Sequence, residues 1–399
     1  MPLDIPLLSP DYATDPRPFW AQLRREAPVL KSQQFGFWVV SRYEDVRSVL
    51  TRPEDFSSQI GPAGGMTPAS DDAARSGMDF LPMIQHDAPD HTRLRSILSR
   101  AFSPRRIAGM ETRIREIGAS LVEEIRRKAA SGEALDFYDD YASPLPVIVV
   151  AEILGIPASA RESLGFWADA TGVGSGERYS TDLRTRAFEQ IDDCLRQIVA
   201  QREREPQDDL ISALVASARE GEQLRPEELI GFCKLLWIAG NETTTNLISN
   251  GAVLLQERPE LLARLRDAPD KIPDFVEELL RFESPVNGLF RRATRSVELH
   301  GEKIGAGDAV WMLFASGNRD AGHFPQPDEF VLERDPNDHL ALGFGPHFCL
   351  GASLARLEAR VGFEVLTELL PKFRLEPERG KRLPTPILRG WLSLPMRSV

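Results

Sequence analysis

The chain has 399 residues, of which 42% are hydrophobic and 27% charged, and this composition is typical of a globular protein with a large core. It excludes disordered, collagen-like and disulfide-stabilised miniprotein classes. The 48 Lys and Arg against 60 Asp and Glu give a net charge of −12, so we expect no nucleic-acid partner. The three cysteines, Cys194, Cys233 and Cys349, fit neither a disulfide framework nor a zinc site, which favours a reducing compartment.

The N-terminal segment has no basic start followed by a long apolar stretch, so we expect neither a secretory signal nor a transit peptide. The most apolar stretch, residues 145–156, is interrupted by Glu152 and is shorter than the roughly 20 residues that a membrane-spanning helix needs. We therefore expect a cytoplasmic protein with no membrane partner.

Apolar residues recur every three or four positions along most of the chain, which is the spacing of amphipathic helices. The pattern predicts helices over residues 104–130, 181–204, 226–257 and 350–370. Short strand patterns lie at residues 37–40, 297–304, 309–314 and 391–396. No linker or repeat divides the sequence, so we expect a single domain over residues 1–399 that is mainly α with a minor β component.

Two long loops are predicted, over residues 57–84 and residues 171–181. Both are rich in Gly and polar residues, and loops of this length in a compact domain are often functional. The second contains a Gly-Val-Gly-Ser-Gly run but is not preceded by a strand, so a phosphate-binding interpretation is weak. We expect the second loop to be a flexible lid.

The most informative segment is the cysteine loop, residues 342–351, which reads Leu-Gly-Phe-Gly-Pro-His-Phe-Cys-Leu-Gly. Its glycines and proline exclude regular helix before Cys349, and a helical pattern follows. A cysteine at the start of a helix is favoured as a thiolate by backbone N–H groups and the helix dipole. Three interpretations remain open: a buried structural cysteine, an axial thiolate ligand of haem iron, and a nucleophile with His347 as its base, although two residues apart is poor geometry for that pair.

The predicted helix 226–257 spans roughly 45 Å at about 1.5 Å per residue, so we expect it to cross the core. A polar run, Gly-Asn-Glu-Thr-Thr-Thr at residues 240–245, interrupts its apolar middle. A buried carboxylate costs free energy unless it is paired, so the presence of this polar run in a core helix needs an explanation. If Thr243 bonds back to the carbonyl of Ala239, a groove at Gly240 would admit a small ligand. The alternative is a polar patch between packed helices.

Several charged residues do not indicate a function when each is considered alone. Glu278 and Arg281, three residues apart, are typical of a solvated helical ion pair. His91 and Arg95 are four residues apart, and Arg291 lies in another basic segment.

Together these segments resemble the cytochrome P450 superfamily, specifically the soluble bacterial haem-thiolate monooxygenases. The cysteine loop is similar to the family's F-G-x-G-x-H-x-C-x-G signature at Gly343, Gly345, His347, Cys349 and Gly351, and it departs at Leu342, where the family usually has Phe. The central helix resembles the A/G-G-x-D/E-T-T element through Ala239, Gly240, Glu242, Thr243 and Thr244. Glu278 and Arg281 match the E-x-x-R pair.

The resemblance implies a cytochrome P450 fold with a long central helix crossing the core, and haem b as the cofactor. Cys349 would be the metal ligand. The expected cofactor-binding residues are His91, Arg95, Ala239, Gly240, Arg291, His347 and Cys349, with the basic side chains near the haem propionates. Glu278 and Arg281 would have a structural role, with Arg334.

The resemblance also implies the reaction, in which O2 is activated to oxidise an organic substrate. Thr243 and Glu242 would be catalytic, positioning and relaying protons. The expected substrate contacts are Ile238, Ala239, Val286, Leu289 and Phe290, which favour an apolar substrate. A separate ferredoxin with its reductase would supply electrons, docking near Arg105, Arg106, Arg356 and Arg360. A haem-thiolate sensor or a thiol-dependent enzyme is the alternative.

Overall fold

The computed structural model describes residues 4–7, 9–60, 83–173, 175–219 and 224–399, so most of the predicted loop 57–84 lies outside the described residues. The helices are α1 (Pro10–Thr14), α2 (Arg17–Glu26), α3 (Tyr43–Leu50), α4 (Asp90–Ala101), α5 (Pro104–Ala108), α6 (Glu111–Ser131), α7 (Pro144–Ile153), α8 (Arg161–Thr171), α9 (Thr181–Arg204), α10 (Leu210–Arg219), α11 (Pro226–Glu257), α12 (Pro259–Asp267), α13 (Ile272–Phe282), α14 (Phe314–Gly317) and α15 (Ala352–Leu369). The strands are β1 (Val29–Lys31), β2 (Trp38–Val40), β3 (Phe56–Ser57), β4 (Leu135–Asp136), β5 (Leu289–Ala293), β6 (Val297–Leu299), β7 (Glu302–Ile304), β8 (Ala309–Met312), β9 (Phe373–Leu375), β10 (Lys381–Arg382), β11 (Trp391–Ser393) and β12 (Pro395–Ser398). The fold is mainly α with a minor β component, as the sequence predicts.

The helix predictions hold for the long helices and fail at one turn. Helices 181–204 and 226–257 are confirmed as α9 and α11 with the same bounds, and the helix after the cysteine is confirmed as α15. The prediction of one helix over 104–130 is wrong, because α5 ends at Ala108 and α6 begins at Glu111. At this break Gly109 donates to the carbonyl of Arg105 and Met110 to that of Ile107, at 3.2 and 3.0 Å. Apolar spacing continues on both sides of the turn, so the pattern does not reveal it.

Two of the predicted strands are also interrupted. Residues 297–304 form the hairpin β6–β7, whose turn residues His300 and Gly301 have φ of 53° and 78°, as a tight hairpin turn requires. Residues 391–396 are divided between β11, which pairs with β10, and β12, which pairs with β4 and β9. The predicted strand 309–314 ends at Met312, and Phe314 begins α14. A local turn thus ends β6, whereas the ends of β8, β11 and β12 depend on pairing partners that are distant in sequence.

The chain divides into two compact units. The first comprises Met1–Arg93, Glu277–Cys349 and Pro384–Arg389, and the second comprises Leu94–Val276, Leu350–Leu383 and Gly390–Val399.

A five-stranded sheet forms the core of the first unit. Its strand order is β1-β2-β8-β5-β3, with β2 and β8 parallel and the other neighbours antiparallel. Successive side chains of a strand point to opposite faces. Val39 and Phe290 therefore pack with Trp311 on one face, while Val40 and Met312 belong to the apolar cluster on the other. Each face of the sheet therefore contributes to a buried apolar cluster.

A buried ion pair in the first unit fastens the end of α13 to the segment that leads to the cysteine loop. Glu278 and Arg281 are fully buried, and two hydrogen bonds of 2.8 Å join them. Arg281 also donates to the carbonyls of Asn318 and Pro327 at 2.8 Å, and Arg334 Nε lies 3.1 Å from both carboxylate oxygens. The pair is therefore not solvated but structural, with Arg334 as its third member.

The second unit is built around α11, which is buried over most of its length. The helices α7, α8, α9 and α15 pack against it, and α6 packs in turn against α7 and α15. None of the helices in the described part of the chain is both long and apolar enough to cross a membrane.

Candidate functional site

The cysteine loop of the first unit is closed by its own backbone. The N–H of Cys349 donates to the carbonyl of Leu342 at 2.8 Å. Gly343 and Gly345 have φ of 73° and 70°, a left-handed conformation that favours glycine. A Cβ on Gly345 would lie 3.1 Å from the carbonyl oxygen of Leu50 at the end of α3. The two glycines therefore allow both the turn and the close approach to α3.

The position of Cys349 differs slightly from the sequence prediction. The cysteine is half-buried and α15 begins three residues later, at Ala352, with Gly351 as its N-cap. Cys349 therefore precedes the helix rather than starting it. At Leu342, where the sequence departs from the family signature, it is the backbone carbonyl that closes the loop, and an aromatic side chain is not needed for that bond.

Basic side chains of the first unit are linked by a ring contact, hydrogen bonds and a charge interaction. The rings of His91 and His347 lie with centroids 3.9 Å apart, and His347 Nε2 is 2.9 Å from Ser58 Oγ. Ser58 in turn donates its N–H to Asp87 Oδ1 at 2.8 Å, and the Asp87 carboxylate acts electrostatically on Arg291. His347 is thus engaged with a hydroxyl and a second imidazole, which gives no support to its role as a base for a nucleophilic cysteine.

Arg291 is a buried cation with little compensation among the described residues. It is 7% exposed, and its guanidinium donates to the carbonyl of Phe290 at 2.9 Å. Burial lowers the pKa of this guanidinium to about 10, and the nearby Asp87 charge opposes the shift. A buried cation of this kind fits an anionic group of a ligand. Arg95, the fourth predicted basic residue, lies on α4 one turn after His91 and belongs to the second unit.

In the second unit, α11 has one exposed position in its otherwise buried middle. Ala239 is exposed, and Ile238, Gly240 and Thr243 beside it are half-buried. We call the face formed by these four residues the α11 window. An exposed patch in the middle of an otherwise buried helix is expected where a flat ligand covers the patch.

The hydroxyl of Thr243 behaves as the sequence predicts. Thr243 Oγ1 donates to the carbonyl of Ala239 at 2.8 Å. The helix continues without a break through this point, and the groove at Gly240 stays a prediction. A Cβ on Gly240 would lie 2.9 Å from Val150 Cγ2 of α7, so this glycine also allows the two helices to approach closely.

Glu242 lies next to Thr243 and faces the segment that follows α8. Its Oε2 accepts the N–H of Val173 at 2.7 Å. Burial raises the pKa of Glu242 to about 8, and the negative charge of Asp169 adds to the effect. Near pH 7 the carboxyl group is therefore largely protonated and able to donate a proton. This hydrogen bond attaches the predicted lid 171–181 to α11. Residues 175–177 of the same segment form a short 3₁₀ turn.

Sequence analysis missed a second buried carboxyl group, Glu358 of α15. It is fully buried, its side chain bonds to Thr244, and burial raises its pKa to about 8. The signal was present in the sequence, since Glu358 is four residues after Leu354 and three before Val361, inside the apolar face of the predicted helix. Thr243 and Thr244 therefore have different surroundings: the first belongs to the α11 window and the second contacts Glu358.

The predicted substrate contacts are divided between the units. Val286 and Leu289 are half-buried against the same cluster of the first unit. Phe290 points to the opposite face of β5, where its ring packs 5.1 Å from Phe37 and 5.9 Å from Trp311, centroid to centroid. Phe290 is thus a core residue, and the prediction of a substrate contact there is not supported. Ile238 and Ala239 belong to the α11 window of the second unit.

The predicted basic docking patch is partly neutralised. Arg360 pairs with Glu111 and Glu364, and Arg106 lies 3.6 Å from Asp208.

Comparison with known proteins assigns the family. The cytochrome P450 family model matches residues 177–397. The chain is 37% identical over 390 residues to Cytochrome P450 109 of Bacillus spizizenii, covering 96% of this chain and 91% of that protein. CYP109Q5 from Chondromyces apiculatus has a TM-score of 0.86 at 36% identity, covering 100% of this chain and 98% of that one. CYP109E1 from Bacillus megaterium, solved in complex with testosterone, has a TM-score of 0.84 at 32% identity, covering 98% and 99%.

The chain therefore belongs to the cytochrome P450 family of haem-thiolate enzymes. It is an oxidoreductase of the monooxygenase class, which uses O2 and electrons from redox partners.

The raised pKa of Glu242 gives a pH-dependent prediction. Its ordinary value is 4.5, so between about pH 5 and 8 the folded chain holds a proton that the unfolded chain has released, and stability falls as the pH rises. We expect Glu242→Gln to remove this contribution and to be more stable than the wild type at pH 8 by on the order of 2 kcal/mol, with little difference at pH 5.

Urea unfolding followed by circular dichroism at both pH values measures the effect. Glu162→Gln, at an exposed position of α8, is the matched control and should leave the pH dependence unchanged. The same pH dependence in Glu242→Gln and the wild type would contradict the prediction.

Proposed function

We propose that the chain binds haem b through Cys349 and uses it to hydroxylate, or otherwise oxidise, an apolar organic substrate of small to medium size. The observation that carries the proposal is the closed cysteine loop, in which two left-handed glycines and the bond from Cys349 to Leu342 hold the sulfur-bearing residue in a fixed backbone. A rigid, half-buried thiolate suits a metal ligand better than a nucleophile that must move toward its substrate.

The residues present fit the chemistry of haem b. Its two propionates are anions, and the first unit offers the buried Arg291 together with His91 and His347, whose rings are in contact. Arg95, one turn after His91 on α4, is proposed for the same role. The exposed Ala239 and half-buried Gly240 provide a surface without large side chains, against which a flat porphyrin packs.

When bound, haem supplies the centre at which O2 is reduced and the substrate oxidised. The chain's own residues supply the protons that this reduction consumes. Glu242, which is protonated near neutral pH, is proposed to donate a proton. Thr243 is proposed to position this proton at the α11 window. A haem-thiolate sensor would not need this acid and hydroxyl, so their presence favours an enzyme.

Ile238, Ala239, Val286 and Leu289 are proposed to contact the substrate and exclude water. All four are apolar, which supports an apolar substrate. The relative CYP109E1, whose structure contains testosterone, supports the same class. We propose a ferredoxin with its reductase as the electron source, as the resemblance to soluble bacterial cytochromes P450 implies.

We also propose that residues 1–399 work as one catalytic domain, because a relative aligns with 96% of the chain. We propose a cytoplasmic location because the chain has only three cysteines, an odd number that does not suggest a disulfide framework.

The first test concerns the metal ligand. Cys349→Ser should abolish the thiolate-type absorption band of the reduced, carbon-monoxide-treated protein, because a hydroxyl does not donate electron density as a thiolate does. Cys194→Ser, a half-buried cysteine of α9, should retain the band of the wild type. Retention of the band in Cys349→Ser would show that another residue holds the iron.

The second test concerns the propionates. Arg291→Gln should weaken haem binding by about 10- to 100-fold, because a charged hydrogen bond contributes about 1.5–3 kcal/mol. The neighbouring Arg292 is exposed on the opposite face of the same strand, which makes Arg292→Gln a matched control with haem binding like the wild type. Haem transfer to an acceptor protein measures both, and equal rates in the two variants would refute the assignment.

The third test concerns proton delivery. Thr243→Ala should divert electrons to peroxide and lower the product formed per electron pair by about tenfold or more, since positioned acid groups contribute at least this much. Thr367→Ala removes a buried hydroxyl of α15 that bonds to the carbonyl of Glu364 at 3.0 Å, and it should leave this ratio unchanged. Unchanged coupling in Thr243→Ala would exclude the role.

A further inference from the structure

A small cavity lies beside Glu242 inside the second unit. Its volume is about 30 Å³, which is enough room for a bound water. The walls come from α7, α8, α11, β11, the segment 172–178 and residues 138–143 before α7. The polar residues in these walls are Tyr138, Ser143, Asp169, Ser175, Arg178, Asn241, Glu242 and Thr245.

Three buried polar atoms in these walls have no hydrogen-bond partner among the described residues. They are both amide atoms of Asn241 and the hydroxyl of Ser175, and the two residues are 4% and 3% exposed. Each such atom costs about 1–3 kcal/mol if it stays unsatisfied. A bound water needs two to four polar partners, and the cavity offers both donors and acceptors. This arrangement is that of a built water site.

A second carboxyl group, Asp169, also lines the cavity. Arg178 Nη1 donates a hydrogen bond to the Asp169 carboxylate at 2.8 Å, and the hydroxyl of Tyr138 donates another at 3.4 Å. The side chain of Tyr179 also bonds to this carboxylate. Burial raises the pKa of Asp169, and the charge of Arg178 opposes this shift. Its side chain is 18% exposed, so solvent reaches it.

A third carboxyl group extends this series toward the surface. Asp139 lies 3.9 Å from Arg178 and its side chain is 55% exposed. Partial burial and the negative charge of Asp136 raise the pKa of Asp139. Arg178 itself is anchored by the carbonyl of Leu392 at 2.6 Å, so it holds its position between Asp139 and Asp169.

We propose that a water in this cavity links Asp169 to Glu242, and that protons consumed in the reaction enter the chain through Asp169. The inference rests on the proposed function of Glu242. Asp169 is a positioning residue that acts through Glu242 and not on the substrate. Because Glu242 Oε2 already accepts the N–H of Val173, the proton arrives at Oε1.

The step is a proton transfer without electron movement. Once Glu242 has given up its proton, the Asp169 carboxylate takes a proton from solvent and donates it to the water oxygen. The water then passes one of its own protons to Glu242, and Asp169 is a carboxylate again. The net result is one proton carried from solvent to Glu242, with the water unchanged.

The experiment compares Asp169→Asn with Asp193→Asn, an exposed carboxylate of α9, in the haem-loaded protein. We expect Asp169→Asn to slow product formation by about 10- to 100-fold and to increase its solvent deuterium isotope effect, while Asp193→Asn resembles the wild type. The conservative variant Asp169→Glu should recover most of the rate, because it restores the carboxyl group.

A second measurement does not depend on turnover. The infrared carboxyl band of Glu242, assigned with Glu242→Gln, should titrate at lower pH in Asp169→Asn, because the neighbouring negative charge is gone. Ser175→Val, which fills the cavity and keeps both carboxyl groups, should slow product formation without this change in titration.

The outcomes separate the two proposals. If the wild type lacks a thiolate-type spectrum, or if Thr243→Ala stays fully coupled, the proposed function fails. If the wild type passes both tests but Asp169→Asn matches Asp193→Asn in rate and isotope effect, only the entry route through Asp169 is overturned. If Ser175→Val keeps the wild-type rate, the water link is overturned.

Discussion

The position of the cysteine loop depends on one fully buried carboxylate. Glu278 accepts hydrogen bonds from Arg281 and Arg334 and from the N–H of Val331, at distances between 2.8 and 3.1 Å. Burying these charges has a large desolvation penalty, which is offset only because each charge has a hydrogen-bonded partner. The carboxylate thereby joins α13 to the chain around residues 318–337, the stretch that runs directly into residues 342–351. Loss of one member would leave buried charges unpaired and release the segment on which Cys349 depends.

The polar run in α11 has two purposes, which the structure separates by helix face. Thr243 lies at the α11 window, whereas Thr244 bonds to the buried Glu358 of α15. Glu242 and Glu358 both have pKa values raised to about 8 by burial, so each is largely a neutral acid near pH 7. A neutral carboxyl group avoids most of the desolvation penalty of a buried charge and still has a proton to donate. The helix can therefore carry acid groups through an apolar core.

Backbone geometry explains why Leu342 is tolerated where the family usually has Phe. The contribution of this position to the loop is its carbonyl, which accepts the N–H of Cys349. The special conformations fall on Gly343 and Gly345, and both glycines are retained. The part of the signature that controls the loop's shape is thus present, although the side chain at its first position differs.

The sequence by itself determined the long helices, the cysteine loop and the family, because helical spacing and the glycine and proline positions are local properties of the chain. It did not determine the division of residues 391–396 between two sheets or the core position of Phe290, since each depends on a partner distant in sequence. It also did not reveal the break at Gly109, because apolar spacing continues on both sides of that local turn. The candidate site follows the same division. Cys349, Glu242 and Thr243 were predicted from motifs, and Glu358 could have been noticed inside the apolar face of its helix, whereas Asp169 became visible only when folding placed it beside Glu242. A carboxyl group acquires its unusual pKa from burial and neighbouring charges, and these exist only in the tertiary structure.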